Sequence, residues 1–398
     1  MTAVCDRLES AFLWPDDALQ KLMDAGWSLS HVGRCLRRLS MSTAFSGIDA
    51  PGVAAALICK RYGLMTGDTV QIPNLAAIEL TQECRAELQL LPEPPRCLYG
   101  DILAFASPLV LQKFSDGENE LEQVASEILK PGVVWRTCHC LAHDRECKYP
   151  EAFLHVAGTP CTDFSPRGKR CRESGATNTL YMIWIAHRRL VQEALILHEN
   201  VPEFPPSLLS MWLGDLYHVA WSQVLCSTDF GWPIARPRRY TLLVHKIKMH
   251  LTRERPEPPM FFRRVGHHFT WHAFVQATEE EIQCELQWSC TRAASRAHNA
   301  FGSSTTCSGI TFRDSLSAVE LKRLETYESQ ARSTGGAYQL AQEPCSGHGA
   351  ANGPHILCTI TRNISLLWSN AHCRWFTPRE LLTAMGFPVL EQCVDFFF

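Results

Sequence analysis

A cysteine near the middle of the chain stands in surroundings that suit a nucleophile. Cys161 ends the run Gly158-Thr159-Pro160-Cys161, whose glycine and proline are typical of a loop. Four cations follow it closely: Arg167, Lys169, Arg170 and Arg172. Nearby positive charge lowers the pKa of a thiol, and the thiolate is the form that attacks carbon. Most of the 18 cysteines fit small packing residues instead, so Cys161 is the candidate for covalent catalysis.

Glycine and acidic residues stand directly after other short apolar segments that fit buried strands. These residues are Phe45, Ser46, Gly47 and Ile48 after the first segment, Glu79 and Leu80 at the end of the second, Asp101 and Ile102 after the third, and Glu199-Asn200-Val201 after the fifth. In an open parallel sheet, ligands bind beyond the carboxyl ends of the strands. We therefore expect one edge of the sheet to carry a glycine turn, three carboxylates and Cys161. Each feature alone is more often plain architecture, and their joint placement favours a site.

Short apolar segments alternate with helical patterns between residues 41 and 244. The predicted strands are Met41–Phe45, Ala76–Leu80, Arg96–Tyr99, Phe153–Ala157, Ala194–Leu197 and Tyr240–Val244. The clearest helix is predicted from Asn178 to Glu193, with Thr177 or Asn178 as its cap. Strands that alternate with helices indicate an α/β fold with a doubly wound, mostly parallel sheet covered on both faces.

The pattern divides the chain into four segments. They are an N-terminal helical extension (1–38), a catalytic α/β domain (39–244), a smaller irregular region (245–360) and a C-terminal segment expected to return to the catalytic domain (361–398). Region 245–360 is set apart because it is rich in Gly, Ser, Thr, His and Cys. In the last segment Thr377 and Pro378 open a helix, and Gly386 ends it.

The composition excludes several classes of protein. Of the 398 residues, 46% are hydrophobic and 20% are charged, which is typical of a globular chain and excludes a mainly disordered one. The chain has no apolar run of about 18 residues and no export signal. We therefore expect an intracellular protein, nuclear if its source is eukaryotic, with reduced cysteines and no membrane partner. Because the net charge is −3, binding to nucleic acid must depend on local basic patches.

In order and spacing, these motifs resemble those of the cytosine-C5 DNA methyltransferases. The motifs are Phe45-Ser46-Gly47, Gly158-Thr159-Pro160-Cys161 with Phe164-Ser165, Glu199-Asn200-Val201, the segment from Gly231 and Pro233 to Arg236 and Arg238, and Arg379-Glu380 followed by Met385-Gly386-Phe387-Pro388. They extend over about residues 41–388. The resemblance implies a Rossmann-like class I methyltransferase with a target-recognition region, acting as a DNA (cytosine-5-)-methyltransferase.

The resemblance also implies a covalent mechanism. Cys161 would attack carbon 6 of cytosine and thereby make carbon 5 able to take a methyl group. Glu199 would share a proton with ring nitrogen 3 and the amino group. Arg238 would hold the ring carbonyl oxygen, and Arg236 belongs to the same catalytic set. The implied partner is double-stranded DNA. A target base inside a duplex is out of reach, so it must be flipped out at a cost of roughly a few kcal/mol. No protein partner is indicated.

The methyl donor implied by the resemblance is S-adenosyl-L-methionine. Gly47 would let the backbone approach the donor, and Phe45 would pack against its adenine. Glu79 would accept hydrogen bonds from the ribose hydroxyls, and Asp101 from the adenine amino group. The complete set of expected donor contacts is Phe45, Ser46, Gly47, Ile48, Glu79, Leu80, Asp101, Ile102 and Pro160.

A basic segment between His245 and His268 is the candidate DNA-contacting surface. Its cations are Lys246, Lys248, Arg253, Arg255, Arg263 and Arg264, interleaved with Phe261, Phe262, His267 and His268. Loops that grip phosphates and contact bases have this character. A solvated basic face is the alternative.

The chain departs from the family pattern at several positions. Asp49-Ala50 stands where many members have glycines, Thr162 replaces a glutamine, and Ile234 replaces the glutamine before the two arginines. The chain ends at Phe398 without the Gly-Asn-x-Val helix that closes the donor pocket in the family. We therefore expect weak donor binding or a missing segment, and a catalytically impaired DNA-binding homologue is one alternative.

RNA cytosine-C5 methylation is the other alternative. Relatives that methylate transfer RNA carry Cys-Phe-Thr in the second domain, and this chain lacks that tripeptide, which favours DNA. The joint presence of Cys161, Glu199 and Arg238 favours catalysis over binding alone.

Two groups of soft side chains have ligand-like spacing. The first is Cys138-x-Cys140-x2-His143-x3-Cys147, and the second joins Cys345 and His348 with His355 and Cys358. Both could hold structural zinc. Neither contains two Cys-x2-Cys pairs, and 18 cysteines with 16 histidines produce chance clusters, so the sequence favours ordinary reduced residues and assigns no metal.

Overall fold

The structure, a computed structural model, describes residues 14–114, 119–165, 171–250, 259–263, 269–297, 311–330, 336–346, 349–350, 355–360 and 366–389. These residues divide into two units. The larger unit contains the described residues of 15–225 and 237–261, and the smaller contains Trp14 and the described residues of 226–236 and 262–389. The described part of segment 361–398, which the sequence placed with the catalytic domain, thus groups with the smaller unit.

The strands of the larger unit are β1 Met41–Ala44, β2 Asn74–Ile78, β3 Cys97–Tyr99, β4 Thr137–Cys140, β5 Arg145–Lys148, β6 Leu154–Gly158, β7 Leu195–Asn200, β8 Tyr217–Leu225 and β9 Arg238–His245. Seven of them form one sheet in the order β3-β2-β1-β6-β7-β9-β8. Pairing is parallel from β3 to β7, and β9 runs antiparallel to both of its neighbours. The predicted α/β fold class, with a mostly parallel sheet, is confirmed.

All six predicted strands are present, and three further strands of the larger unit were missed. Strand β8 lies at the sheet edge, where most of its side chains are partly exposed, so it presents no apolar run. Strands β4 and β5 form a separate hairpin. The sequence of this hairpin has no apolar run, and its closely spaced cysteines and histidines were interpreted as possible metal ligands instead of strands.

The helices of the larger unit are α1 Trp14–Asp24, α2 Leu29–Arg38, α3 Ala50–Thr66, α4 Gln82–Leu90, α5 Pro108–Leu111, α6 Leu121–Ile128, α7 Asn178–Val191 and α8 Ser207–Leu213. Helix α7 begins at the predicted residue and ends two residues before Glu193, where Gln192 takes a left-handed conformation (φ 59°). Of the helices described in either unit, none is long and apolar enough to cross a membrane.

Apolar side chains cover both faces of the central sheet. Ala76 and Ile78 of β2 belong to one core cluster together with residues of α6 and α7. The intervening Ala77 belongs to another cluster, with Leu88 of α4. Successive side chains of a strand point to opposite faces, so this alternation places a helical layer on each side of the sheet.

The smaller unit is more regular than its composition suggested. Its described elements are helices α9 Glu279–Ala297, α10 Ala318–Gln330 and α11 Pro378–Ala384, with an antiparallel sheet of strands β10 Ala337–Gln339, β11 Leu367–Ser369 and β12 Arg374–Trp375. The predicted cap of α11 is confirmed, because the Thr377 hydroxyl accepts a hydrogen bond from the Glu380 backbone N–H (3.3 Å).

Candidate active site

Three strands end side by side at one edge of the central sheet. In the register, Ala44 of β1 is opposite Ala157 of β6, and Gly158 of β6 is opposite Glu199 of β7. Neighbouring strands lie about 4.8 Å apart, so the segments that follow them start close together. The strand order also reverses between β1 and β6, which is where ligands of such sheets bind.

The segment after β1, residues 45–49 and here called the glycine loop, turns sharply. Phe45, Gly47 and Asp49 all have positive φ values, of 56°, 55° and 60°. The Ser46 backbone N–H and hydroxyl both donate to the Ile78 carbonyl of β2 (3.2 Å each). A Cβ atom added at Gly47 would meet nothing within 4 Å, so the side of the loop at Gly47 is open.

Glu79 braces the glycine loop against the end of β2. Its side chain is 8% exposed, and its two oxygens accept from the backbone N–H groups of Gly47 and Thr81, at 2.8 Å each. A carboxylate has about four acceptor positions, so two remain for another donor. The neighbouring Leu80 is 66% exposed and offers an apolar surface beside them.

Asp101 and Ile102 follow β3 at the same edge. One Asp101 oxygen accepts from the Leu103 backbone N–H (3.0 Å) and caps a short 3₁₀ turn. Ile102 is 3% exposed and belongs to the hydrophobic core.

Asp49, which departs from the family pattern, acts as a helix cap. It precedes α3 and accepts from the Gly52 backbone N–H (3.3 Å) and from the Asn74 side-chain amide (2.7 Å). The residue is 1% exposed, and its burial raises the pKa of its carboxyl group. The carboxylate is thus used inside the fold to fix the start of α3 beside the glycine loop.

Cys161 lies in the segment after β6, residues 159–165 and here called the cysteine loop. Its side chain is half-buried and packs against the main core together with Phe164. The Cys161 carbonyl accepts from the backbone N–H groups of Phe164 (3.1 Å) and Ser165 (2.8 Å), which closes a tight turn. Of the four cations expected near the thiol, Arg172 is described, whereas Arg167, Lys169 and Arg170 lie outside the described residues.

A buried hydrogen-bond network ties the cysteine loop to β7. The Asn200 side-chain amide donates to the Thr159 carbonyl (3.2 Å) and hydroxyl (2.9 Å). The Thr159 hydroxyl in turn lies 2.7 Å from His198 Nε2. Burial lowers the pKa of His198 to about 3, so the ring is neutral and its Nε2 can accept from Thr159. In the sequence, Thr159 and Asn200 stood in motifs without an assigned role, and His198 was missed.

Glu199 and Arg238 form an ion pair at this edge. Arg238 Nε lies 3.0 Å from Glu199 Oε1, and the side chains are 16% and 27% exposed, respectively. A Cβ atom at Gly158 would lie 2.9 Å from Glu199 Oε2, so a glycine at this position leaves room for the carboxylate. The structure therefore gathers the ends of β1, β6 and β7 with Glu199 and Arg238 in one unit.

Arg236, expected to act with Arg238, is in the smaller unit instead. Its guanidinium donates to the Ile360 carbonyl (2.8 Å). The adjacent Ile234 is 1% exposed and sits in an apolar core with Leu357. A glutamine there would bury an amide among apolar side chains, which accounts physically for isoleucine at this position.

Two cations of the basic segment are already engaged within the larger unit. Lys248 Nζ lies 2.6 Å from Glu151 Oε1, and Lys246 Nζ donates to the Gly214 carbonyl. Arg253, Arg255, Arg264, His267 and His268 lie outside the described residues. Lys246 and Lys248 thus form their described contacts with residues of the larger unit.

The predicted ligand clusters need one correction. The structure groups Cys140, His143 and Cys147 with Cys97, and Cys138 is not a member of this group. Cys138 instead belongs to the hydrophobic core. In the second cluster, His348 lies outside the described residues, and Cys358 is 5% exposed in the apolar core of the smaller unit.

Comparison with known proteins gives a family and several similar structures. The family model of the C-5 cytosine-specific DNA methylases matches residues 141–390, more than half of the chain. This range contains Cys161, Glu199 and Arg238 and begins after the glycine loop. No curated protein sequence matches the chain.

Three solved structures illustrate the likeness. A protein assigned as a DNA modification methyltransferase, encoded within a prophage of E. coli, is 14% identical, with 88% of this chain and 89% of that chain covered and a TM-score of 0.46. The Dnmt2 methyltransferase of S. pombe is 13% identical, with coverages of 89% and 88% and a TM-score of 0.41. The methyltransferase EhMeth of Entamoeba histolytica is 13% identical, with coverages of 88% and 86% and a TM-score of 0.38.

Proposed function

Since this chain belongs to the C-5 cytosine-specific DNA methylase family, we propose that it transfers a methyl group from S-adenosylmethionine to carbon 5 of a cytosine in DNA. The observation that carries the proposal is the junction of β6 and β7. Asn200 holds Thr159 by two hydrogen bonds, and Glu199 lies against Gly158, so the cysteine loop and the carboxylate are fixed at the same end of the sheet.

Cys161 is the proposed nucleophile. Its thiolate adds to carbon 6 of the base, and the electron pair of the 5,6 double bond then makes carbon 5 nucleophilic. After methylation, a base removes the proton from carbon 5, and Cys161 leaves carbon 6 as a thiolate, which restores the double bond. Cys161 is half-buried, so it can face a base while its loop stays packed on the core.

Glu199 and Arg238 are proposed to stabilise the negative charge that the cytosine ring gains. Addition of sulfur places negative charge on ring nitrogen 3 and the carbonyl oxygen. Glu199 in its protonated form can donate to nitrogen 3, and Arg238 can donate to the oxygen. Their 3.0 Å contact places the two side chains side by side at the same edge of the sheet.

The residues of the glycine loop suit S-adenosylmethionine, which when bound supplies an electrophilic methyl group. The open side of Gly47 leaves space for the ligand, and Glu79 retains acceptor positions for ribose hydroxyls. The exposed Leu80 can cover an apolar ring, and Asp101 can accept from an amino group. We propose these residues as the donor site, with Phe45, Ser46, Ile48, Ile102 and Pro160 around it.

The proposal is tested by trapping the covalent adduct. The chain is incubated with labelled S-adenosylmethionine and duplex DNA that contains 5-fluorocytosine, in which the fluorine blocks the final elimination. We expect a labelled protein–DNA adduct that survives denaturation. Cys161→Ser should abolish the adduct because a neutral hydroxyl is a much poorer nucleophile, whereas Cys35→Ser, at an exposed helical cysteine, should retain it.

Three other outcomes would change the proposal. An adduct with fluorocytosine RNA but not with DNA would make RNA the substrate. DNA binding without any adduct would indicate a binding homologue without catalysis. An adduct that persists in Cys161→Ser would contradict the assignment of the nucleophile.

A further inference from the structure

Three cysteines and a histidine converge beside the edge strand β3. Cys97 begins β3, Cys140 ends β4, His143 lies in the hairpin turn, and Cys147 lies in β5. His143 Nδ1 lies 3.8 Å from the sulfur of Cys97, 3.3 Å from that of Cys140 and 3.7 Å from that of Cys147. All four ligand atoms lie within 4.8 Å of one another. This group is called the Cys3His cluster below.

Hydrogen bonding does not account for this arrangement. A ring nitrogen of neutral imidazole has one proton or one lone pair, so it can satisfy one thiol at a time. Three sulfurs nevertheless surround the same Nδ1 atom at similar distances. The cysteines are also free thiols, so the cluster is not held together by a disulfide bond.

The distances from the histidine nitrogen to the three sulfurs match those between ligands of one ion. Zinc in structural sites is tetrahedral, with Zn–S bonds of about 2.3 Å and Zn–N bonds of about 2.0 Å. Tetrahedral angles then place sulfur and nitrogen about 3.5 Å apart and two sulfurs about 3.8 Å apart. The three measured S···N distances, 3.3 to 3.8 Å, scatter around the first of these values.

We propose that Cys97, Cys140, His143 and Cys147 bind a structural zinc ion. Three cysteines and one histidine are a ligand set of closed structural zinc sites, which leave no position for substrate. The ligands come from two separate parts of the chain, residue 97 and residues 140–147, so the ion joins them. This site is independent of the proposed methyl transfer.

The ion would attach the β4–β5 hairpin to the edge of the sheet. The hairpin has few other links to β3 among its described residues: the Leu141 backbone N–H donates to the Leu98 carbonyl (2.7 Å), and the Tyr99 hydroxyl donates to the Cys147 carbonyl (3.4 Å). An isolated two-stranded hairpin is marginally stable in water. A metal cross-link would therefore add to the order of this hairpin, whose Cys138 and Cys140 are also packed in the main core.

The structure also explains why the sequence suggested a different set. Cys138 and Cys140 are two residues apart in β4, and both are buried. Cys97 is distant in sequence and replaces Cys138 because β3 lies against the end of the hairpin, where Leu141 is bonded to Leu98. No spacing rule could have predicted this fourth ligand.

The test measures bound metal in the full chain, purified without added chelator. Mass spectrometry of the metal should show one zinc fewer per chain in Cys140→Ser and in His143→Ala than in the wild type. Cys138→Ser, in the same strand but outside the Cys3His cluster, should keep the wild-type zinc content. Because His143 is exposed, His143→Ala should fold even if a change at the buried Cys140 does not.

A second measurement uses the absorption spectrum of a substituted metal. Replacement of zinc by cobalt should give the absorption bands of tetrahedral thiolate-bound cobalt, and these bands should be lost in His143→Ala. Removal of the metal should also speed tryptic cleavage after Arg145 or Lys148 several-fold, since both residues lie in the hairpin.

Two results would overturn the proposal. One is equal zinc content in the wild type, Cys140→Ser and His143→Ala, with no cobalt–thiolate bands in the wild type. The other is a disulfide between two cysteines of the Cys3His cluster in chain purified without reductant, detected by peptide mapping.

Discussion

At the scale of single residues, Glu199 occupies a position set by two neighbours. Arg238 approaches one carboxylate oxygen at 3.0 Å, and Gly158 leaves room for the other. The ion pair keeps the carboxylate oriented at the sheet edge, although both side chains are partly exposed to water. In the proposed reaction, a carboxyl group held in this way exchanges a proton with the cytosine ring without first changing its rotamer.

Glu199→Gln is the variant that tests this role. Glutamine has nearly the same shape, but it cannot share a proton with ring nitrogen 3, and it carries no charge to form an ion pair with Arg238. We expect the single-turnover rate of methylation to fall about 100-fold or more, with a small change in the Kd for DNA. The exposed Glu203→Gln should leave the rate unchanged. A loss confined to DNA affinity would argue against proton sharing.

At the scale of elements, the critical link joins the end of β6 to the end of β7. The Thr159 hydroxyl is bonded to both Asn200 and His198, and all three residues are buried. Adjacent parallel strands bring these residues together, and the hydrogen bonds then fix the path of the chain into Cys161. The proposed nucleophile is thus positioned by the side chains of Thr159, His198 and Asn200.

Thr159→Val removes this hydroxyl while keeping the shape of the side chain. The His198 nitrogen and one Asn200 donor position would lose their partner inside the protein, at a cost of about 1–3 kcal/mol each. We expect a lower free energy of unfolding in urea and a slower methylation rate. Thr159→Ser retains the hydroxyl and should recover most of both. If the valine variant matched the wild type in rate, the network would have no role in placing Cys161.

At the scale of the whole molecule, the larger unit encloses several histidines that must stay neutral. His155, His187 and His198 are each at most 1% exposed. Burial is the main cause that lowers the pKa of all three, and the charge of Arg188 adds to it for His155 and His187. Below pH 6.5, the ordinary pKa of histidine, these three side chains would therefore bind protons in the unfolded chain but not in the folded one.

The stability of this unit should fall as the solution becomes acidic. For a histidine whose folded pKa is depressed, the stabilising contribution is complete above the unfolded pKa of 6.5 and is lost as the pH falls toward the folded value, about 3 for His198. His198 alone should cost about 2 kcal/mol between pH 7 and pH 5. Urea unfolding at both pH values measures the loss.

Two variants distinguish the effect of the buried His198 on the acid dependence from that of an exposed histidine. His198→Gln should reduce the loss of stability between the two pH values, because glutamine binds no proton in either state. The exposed His218→Gln should leave the loss unchanged. An equal acid dependence in the wild type and His198→Gln would show that His198 is not kept neutral by the fold.

Local pattern was enough to predict much of this molecule. Helix α7 and the cap at Thr377 were predicted because hydrogen bonds and side-chain spacing within a few residues determine them. Six strands of the main sheet were predicted because they have continuous apolar runs, whereas the edge strand β8 and the β4–β5 hairpin were missed. The motifs around Cys161, Glu199 and Arg238 follow directly from the order of residues, and the family they indicated is confirmed.

The sequence by itself thus determined the fold class and the family, and it predicted which residues lie at the ends of the strands. Only the tertiary structure decided that Thr159 joins His198 and Asn200, that Arg236 bonds Ile360 in the smaller unit, and that Cys97 completes the cluster at His143. The physical reason is distance along the chain. Strand order and register bring these side chains together, and neither can be derived from the spacing of residues within any one segment.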